Sequence, residues 1–195
     1  MIPFHAAAAA AWPLNISFSI LLDRYVPPAG RSRFAINIGA KDGRKNDPVY
    51  ELLAQGFGGV AFEGDPAVEA ALRTNLANAN ISEGVRISWG FVTPQDVAPR
   101  LAALGTPRSP DSLKLDIDSF DLDVLSAVLN AGFRPKVVMV EINPDYPPPI
   151  VFAQRYHANF TFDFEGAAAL PAAELCPVRA ARTACAQLSL AARRP

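Results

Sequence analysis

The sequence predicts an α/β fold, a mostly parallel sheet flanked by helices. Short apolar runs rich in branched residues alternate with segments of helical periodicity through the middle of the chain, the pattern of strands joined by crossover helices. Asp-Pro or Thr-Pro pairs stand where three of those helices should begin, and single glycines stand where they should end. The 195 residues are half apolar, 19% charged and of net charge −1, enough for one domain with a buried core and too apolar for a disordered chain. The uninterrupted run Ala6 to Ala11 and the alanines of residues 166–195 inflate the apolar count.

The elements follow in order. Arg33 to Ile38 is a strand ending in a glycine-rich turn. Asp47-Pro48 reads as N-cap and first helical residue of VYELLAQ, stopped by Gly56. Gly59 to Glu63 is a second strand, and Asp65-Pro66 opens a helix with Val68, Ala71, Leu72 and Leu76 on one face. Val85 to Trp89 is a third strand. Thr93-Pro94 opens a helix carrying Val97, Leu101 and Leu104, closed by Gly105, with Pro99 expected to kink or split it. Ser112 to Ile117 is a fourth strand. Leu122, Leu125, Val128 and Leu129 mark the next helix, ended by Gly132. Lys136 to Ile142 is a fifth strand, apolar and branched as a buried central strand should be.

Three regions follow: an extension over 1–30, an α/β domain over 31–165, and an Ala/Arg-rich tail over 166–195. The extension carries no Lys, Arg, Asp or Glu before Asp23. It lacks a basic start, and Pro3, Pro13 and Asn15 interrupt it, so it is expected to pack or fray rather than span a membrane. A cytoplasmic location is expected, with the secretory pathway as the alternative if 1–22 is a targeting segment; only then would the sequons at Asn15, Asn80 and Asn159 matter. YHANFTFDF could form a sixth strand. The tail is expected to be poorly ordered or a weak helix, so that truncation at Glu165 leaves the melting temperature nearly unchanged.

Composition excludes several classes. Balanced charge argues against a nucleic-acid binder. Cys176 and Cys185 are too few for a disulfide scaffold and have no zinc spacing. His5 and His157 are the only histidines, which disfavours a histidine triad or multi-histidine metal centre.

In an open parallel sheet, ligands bind at the carboxyl ends of the strands. Acidic or amide side chains collect at four of the five predicted ends. They are Asp42 in the turn Gly39-Ala40-Lys41-Asp42-Gly43, then Glu63 with Gly64 and Asp65, then Asp116 with Asp118 and Asp121, then Glu141 with Asn143. The first turn fails the dinucleotide fingerprint, since Lys41 and Arg44 stand where glycines are needed, and no G-K-[ST] follows for a P-loop. It still permits a phosphate-free ligand close over the backbone. Glu63, 20 residues after Gly43, can accept from both ribose hydroxyls. A nucleoside without phosphates, held among carboxylates, suggests a cationic one such as S-adenosylmethionine. Asn143-Pro144-Asp145-Tyr146 lacks the second proline of the amino-methyltransferase signature and follows the wrong strand.

The blocks 34–43 (FAINIGAKDG), 60–66 (VAFEGDP), 112–129 (SLKLDIDSFDLDVLSAVL) and 137–142 (VVMVEI) resemble successive blocks of the FkbM-type class I methyltransferases. Gly39, Gly43, Glu63, Lys114, Asp116 and Glu141 match position by position over roughly 33–145. Asn37, Lys41 and the run Asp118-Ser119-Phe120-Asp121 differ from the family pattern. The resemblance implies a Rossmann-like sheet binding S-adenosylmethionine for O-methyl transfer to a small-molecule or glycan-type acceptor. At most six strands are found where that family has seven, so the last strands of the methyltransferase sheet are expected to be missing. The cofactor residues are then Gly39, Lys41, Asp42, Gly43, Glu63, Gly64, Asp65 and Asp116. Asp116 and Asp118 alternate along an extended segment and so can point to one face; Asp116 would orient cofactor or acceptor and Asp118 would be the base, and Asp116, Asp118 and Asn143 could instead hold a divalent cation. The other readings of Asp118 and the domain are a helix cap, a non-catalytic binding domain of the same fold, and a different Rossmann-type nucleotide enzyme.

Overall fold

The computed structural model describes residues 17–78, 84–141 and 155–158. Five parallel strands form one sheet in the order β3-β2-β1-β4-β5. They are β1 (Phe34–Ile38), β2 (Gly58–Glu63), β3 (Val85–Trp89), β4 (Ser112–Leu115) and β5 (Val137–Val140). Helices α1 (Phe18–Tyr25), α2 (Tyr50–Ala54), α3 (Glu69–Asn78), α4 (Val97–Ala103) and α5 (Asp121–Asn130) flank it. This is a Rossmann-like arrangement with all five expected strands in place, but β5, expected to be a buried central strand, stands at an edge of the described sheet and is only half-buried.

Alternation along the strands sorts the side chains into two cores. Ile36, Ile38, Val60, Phe62, Leu113 and Leu115 face α4 and α5 and pack on Val97, Leu101, Val124 and Val128. Ala35, Ala61 and Val85 face the other way, onto Leu52 and Leu53 of α2 and Leu72 and Leu76 of α3. Helix α1 joins this second core through Phe18 and Leu22, both fully buried, and Ser17 caps it by accepting from the Ile20 amide. The packed unit therefore begins before residue 31.

Local signals place most helix starts. Asp65 Oδ1 accepts from the Ala67 amide and caps a short 3-10 turn, Pro66–Val68, that leads into α3. Asp47 caps in the same way through the Val49 amide, but a turn precedes the helix, which begins at Tyr50. Thr93 and Asp96 exchange side-chain to backbone bonds in a capping box before α4. Pro99 then falls in the first turn of α4, where its missing N–H has no helical partner to lose, so it neither kinks nor splits the helix. No helix among the described residues is long and apolar enough to cross a membrane. Of the expected sixth strand, Tyr156–Ala158 are described and are not strand; the rest, like the tail over 166–195, lies outside the described residues.

Candidate functional site

The chain runs outward from β1 to β2 and β3, then returns to β4 on the opposite side of β1. The crevice between the carboxyl ends of β1 and β4 is therefore the switch point at which such sheets bind ligands. The Gly39–Gly43 turn sits there. The Gly39 and Ala40 amides both donate to the Phe62 carbonyl, tying the turn to β2. Gly39 has φ +80°, and a Cβ on it would stand 1.8 Å from the Asp116 carbonyl oxygen, so only glycine lets the turn press on the exit of β4. Gly43, at φ +68°, admits the Leu72 side chain, which a Cβ would meet at 2.4 Å. Asp42 Oδ1 accepts from the Arg44 and Lys45 amides within the turn, and those bonds hold its carboxyl below the ordinary value.

Glu63 is 7% exposed at the end of β2. Its Oε2 accepts from the Lys41 amide at 2.6 Å and its Oε1 from the Asp65 amide at 2.7 Å. It thus braces the turn after β1 against the turn after β2. Each oxygen keeps a second lone pair for a hydroxyl. Gly64 lies under the Phe91 ring, 2.5 Å from where its Cβ would be, and Phe91 is 80% exposed at the sheet edge. Asp65 faces the 3-10 turn that it caps, on the β2 side of the crevice.

A polar stripe crosses the face of the sheet toward the site. Asn37, Lys114 and Met139 are register partners on β1, β4 and β5. The Asn37 amide donates to Asp47 Oδ2 at 2.6 Å, and burial pushes the Asp47 carboxyl up. Lys114 is buried; its Nζ donates to the Gly39 carbonyl at 2.5 Å and pairs with Asp116 Oδ2 at 3.0 Å. Partial burial would raise the Asp116 carboxyl, but the Lys114 ammonium overcomes this and holds it low. Its Oδ1 is buried with no protein partner.

Asp116, Asp118 and Glu141 place carboxylate oxygens within 4.8 Å of one another, a spacing that could hold a divalent cation or one shared proton. Lost hydration, then the Asp116 and Asp118 carboxylates beside it, push Glu141 up to about 7. Lys41 Nζ lies 3.8 Å from Asp118 Oδ2. A cleft of about 260 Å³ opens beside the group, lined by Asn46, Pro48, Lys114, Asp116, Met139 and Glu141.

Two expectations about Asp118 change. Strand β4 ends at Leu115, and Asp118 has φ +54°, so it joins Asp116 through a left-handed turn rather than by strand alternation. Nor does it cap α5, whose N-cap is Phe120 with no side-chain cap bond; Asp121 accepts from the Ile117 and Ser119 amides and braces the turn instead. Asn143 lies outside the described residues, and Glu141 completes the carboxylate group. The site thus gathers Gly39, Lys41, Lys114, Asp116, Asp118 and Glu141, joins Glu63 through the Lys41 backbone, and leaves Asp42, Gly64 and Asp65 to one side. Asn46, Asp47 and Met139 were missed by sequence reasoning; only the even spacing of Asn37 in β1 and of Met139 and Glu141 toward β5 hinted at a shared face.

No protein-family model matches the chain, and no curated protein matches it. Solved structures do. The O-methyltransferase TomG from Streptomyces achromogenes, involved in tomaymycin synthesis and in complex with SAM, is 21% identical over 63% of this chain and 52% of its own, with TM-score 0.47. Cofactor-bound Rv0187 from MTB is 25% identical over 55% of this chain and 47% of its own, with TM-score 0.44. The glycopeptide N-methyltransferase MtfA, complexed with sinefungin, is 16% identical over 65% and 54%, with TM-score 0.39. The chain spans about half the length of these structures.

Proposed function

We propose that the protein is an S-adenosylmethionine-dependent methyltransferase acting on an oxygen of a small-molecule or glycan-type acceptor. The observation that carries this reading is the convergence at the switch point of a glycine turn that carries no phosphate-binding motif with Asp116, Asp118 and Glu141. No P-loop accompanies the turn, whereas carboxylates suit ribose hydroxyls and a sulfonium charge. Asp116 Oδ1 accepts from no N–H of the protein, and a proton on Glu141 or a donor of such a ligand would satisfy it.

Gly39 and Gly43 would carry the ligand over the backbone, and Glu63 would take the ribose. S-adenosylmethionine, when bound, supplies an electrophilic methyl carbon. Lys114 fixes the Asp116 carboxylate between β1 and β4, so that its orientation is set before any ligand arrives. Asp118 is the base that takes the acceptor proton, and Glu141 beside it offers a second place for that proton.

Tritium-labelled methyl transfer to a panel of phenols, hydroxy acids and sugars tests this. Asp118→Asn should lower turnover at least tenfold with S-adenosylhomocysteine affinity within twofold of wild type, because a base acts only in the chemical step. Full turnover in Asp118→Asn would remove the base assignment.

A further inference from the structure

Asp123, in the first turn of α5, takes two partners from a segment more than thirty residues later. Its Oδ2 accepts from the Tyr156 amide at 2.8 Å, and its Oδ1 lies 3.3 Å from Arg155 Nη1. The Tyr156 ring then stands edge-on to Phe120, with centroids 4.8 Å apart and planes at 78°. Phe120 is buried, stands immediately before α5, and ends the turn that carries Asp118. That turn holds a non-glycine residue in the left-handed region, a conformation that persists only where its surroundings over-determine it. Asp121 secures it from within, through the Ile117 and Ser119 amides. Tyr156 presses on it from outside.

We propose that Asp123 is a positioning residue: by fastening Arg155–Tyr156 to α5, it sets the Tyr156 ring against Phe120 and so holds the turn that sets Asp118 beside Asp116 and Glu141. What Asp118 faces rests on the methyltransferase reading, but the bracing is a property of the ligand-free protein. The aromatic contact supplies the rigidity, so the ring matters and the phenol hydroxyl does not. Asp123 matters as an acceptor for the Tyr156 amide, so asparagine can replace it and alanine cannot.

Two measurements on the full chain test this. The first is amide hydrogen exchange at Ser119 in the free protein, taken relative to the amides of β1. Tyr156→Ala and Asp123→Ala should speed Ser119 at least tenfold beyond any change in β1, whereas Tyr156→Phe and Asp123→Asn should stay within threefold of wild type. A general loss of stability would speed β1 and Ser119 together. If Tyr156→Ala does not fold, Tyr156→Leu keeps bulk without the ring and should show the same selective rise. The second is methyl-transfer turnover from S-adenosylmethionine to whichever acceptor of the panel the wild type methylates, which should fall at least threefold in Tyr156→Ala and Asp123→Ala, in the direction of Asp118→Asn, with S-adenosylhomocysteine affinity within twofold of wild type. Ser119 exchange unchanged relative to β1 in both alanine variants overturns the proposal, even if the melting temperature drops. If the wild type binds neither compound, the methyltransferase reading fails and the exchange experiment still decides the bracing.

Discussion

Glu63→Gln separates the two oxygens of the residue that ties the site together. In the wild type, each oxygen accepts one backbone N–H, from Lys41 at 2.6 Å and from Asp65 at 2.7 Å, and the side chain is almost fully buried. Glutamine offers one acceptor oxygen, so its NH2 must face one of these N–H groups, donor against donor. One bond to a charged group is lost, about 1.5–3 kcal/mol, and the orphaned amide is screened from water. For a chain of this size that lowers the melting temperature by roughly 3–12 °C. Urea unfolding followed by circular dichroism should show a lower midpoint with an unchanged slope. Glu63→Ala loses both bonds and, on the proposed reading, the ribose acceptor as well. It should weaken S-adenosylhomocysteine binding by about 1.5–3 kcal/mol, measured where both proteins remain folded. A Glu63→Gln midpoint corresponding to less than about 0.5 kcal/mol would match an ordinary surface change and refute the brace.

Further outcomes follow from the same geometry. Glu141 binds its proton more tightly in the folded protein than in the unfolded chain, with a folded value of about 7 against 4.5. The folded state therefore holds more protons between those values, and this group's contribution falls as pH rises from about 4.5 to about 7. The difference in urea midpoint between wild type and Glu141→Gln, taken in chelator, should shift against the wild type across that window; a flat difference would show that the carboxylates do not share a proton. Gly39→Ala should lose more than the about 1–2 kcal/mol of a left-handed alanine, because its Cβ also overlaps the Asp116 carbonyl. A variant as stable as wild type would mean that the β1 turn and the exit of β4 are not in contact.

The five strands were legible because each is a short apolar run bounded by turn residues, and in β1, β2 and β4 parallel pairing leaves both faces buried. Asp65 and Thr93 were legible because caps act over two or three residues. The reversal of strand order at β1 is not written in any one strand, yet the acids at four strand ends mark one edge of the sheet. Asp118 shows the limit of local reading. Its place before an apolar helix suits a cap, and alternation suits a strand, but a left-handed turn satisfied by Asp121 overrides both. Pro99 is similar: its effect depends on where the helix begins, which the Thr93–Asp96 box decides. The pairs Asn37–Asp47 and Asp123–Tyr156 had no signal at all. They join segments 10 and 33 residues apart, and only the folded chain brings them together.

Calorimetric titration of the full chain with S-adenosylhomocysteine, NAD and NADP in parallel tests the central claim most directly. The glycine turn fails the dinucleotide fingerprint, and at the crevice Lys41 and Lys114 are each paired with a carboxylate of the Asp116, Asp118 and Glu141 group. The account predicts saturable one-to-one binding of S-adenosylhomocysteine, weakened at least tenfold in Glu63→Ala, and no heat from either dinucleotide. Binding of NAD or NADP with none of S-adenosylhomocysteine would contradict it and assign the crevice to a different nucleotide chemistry.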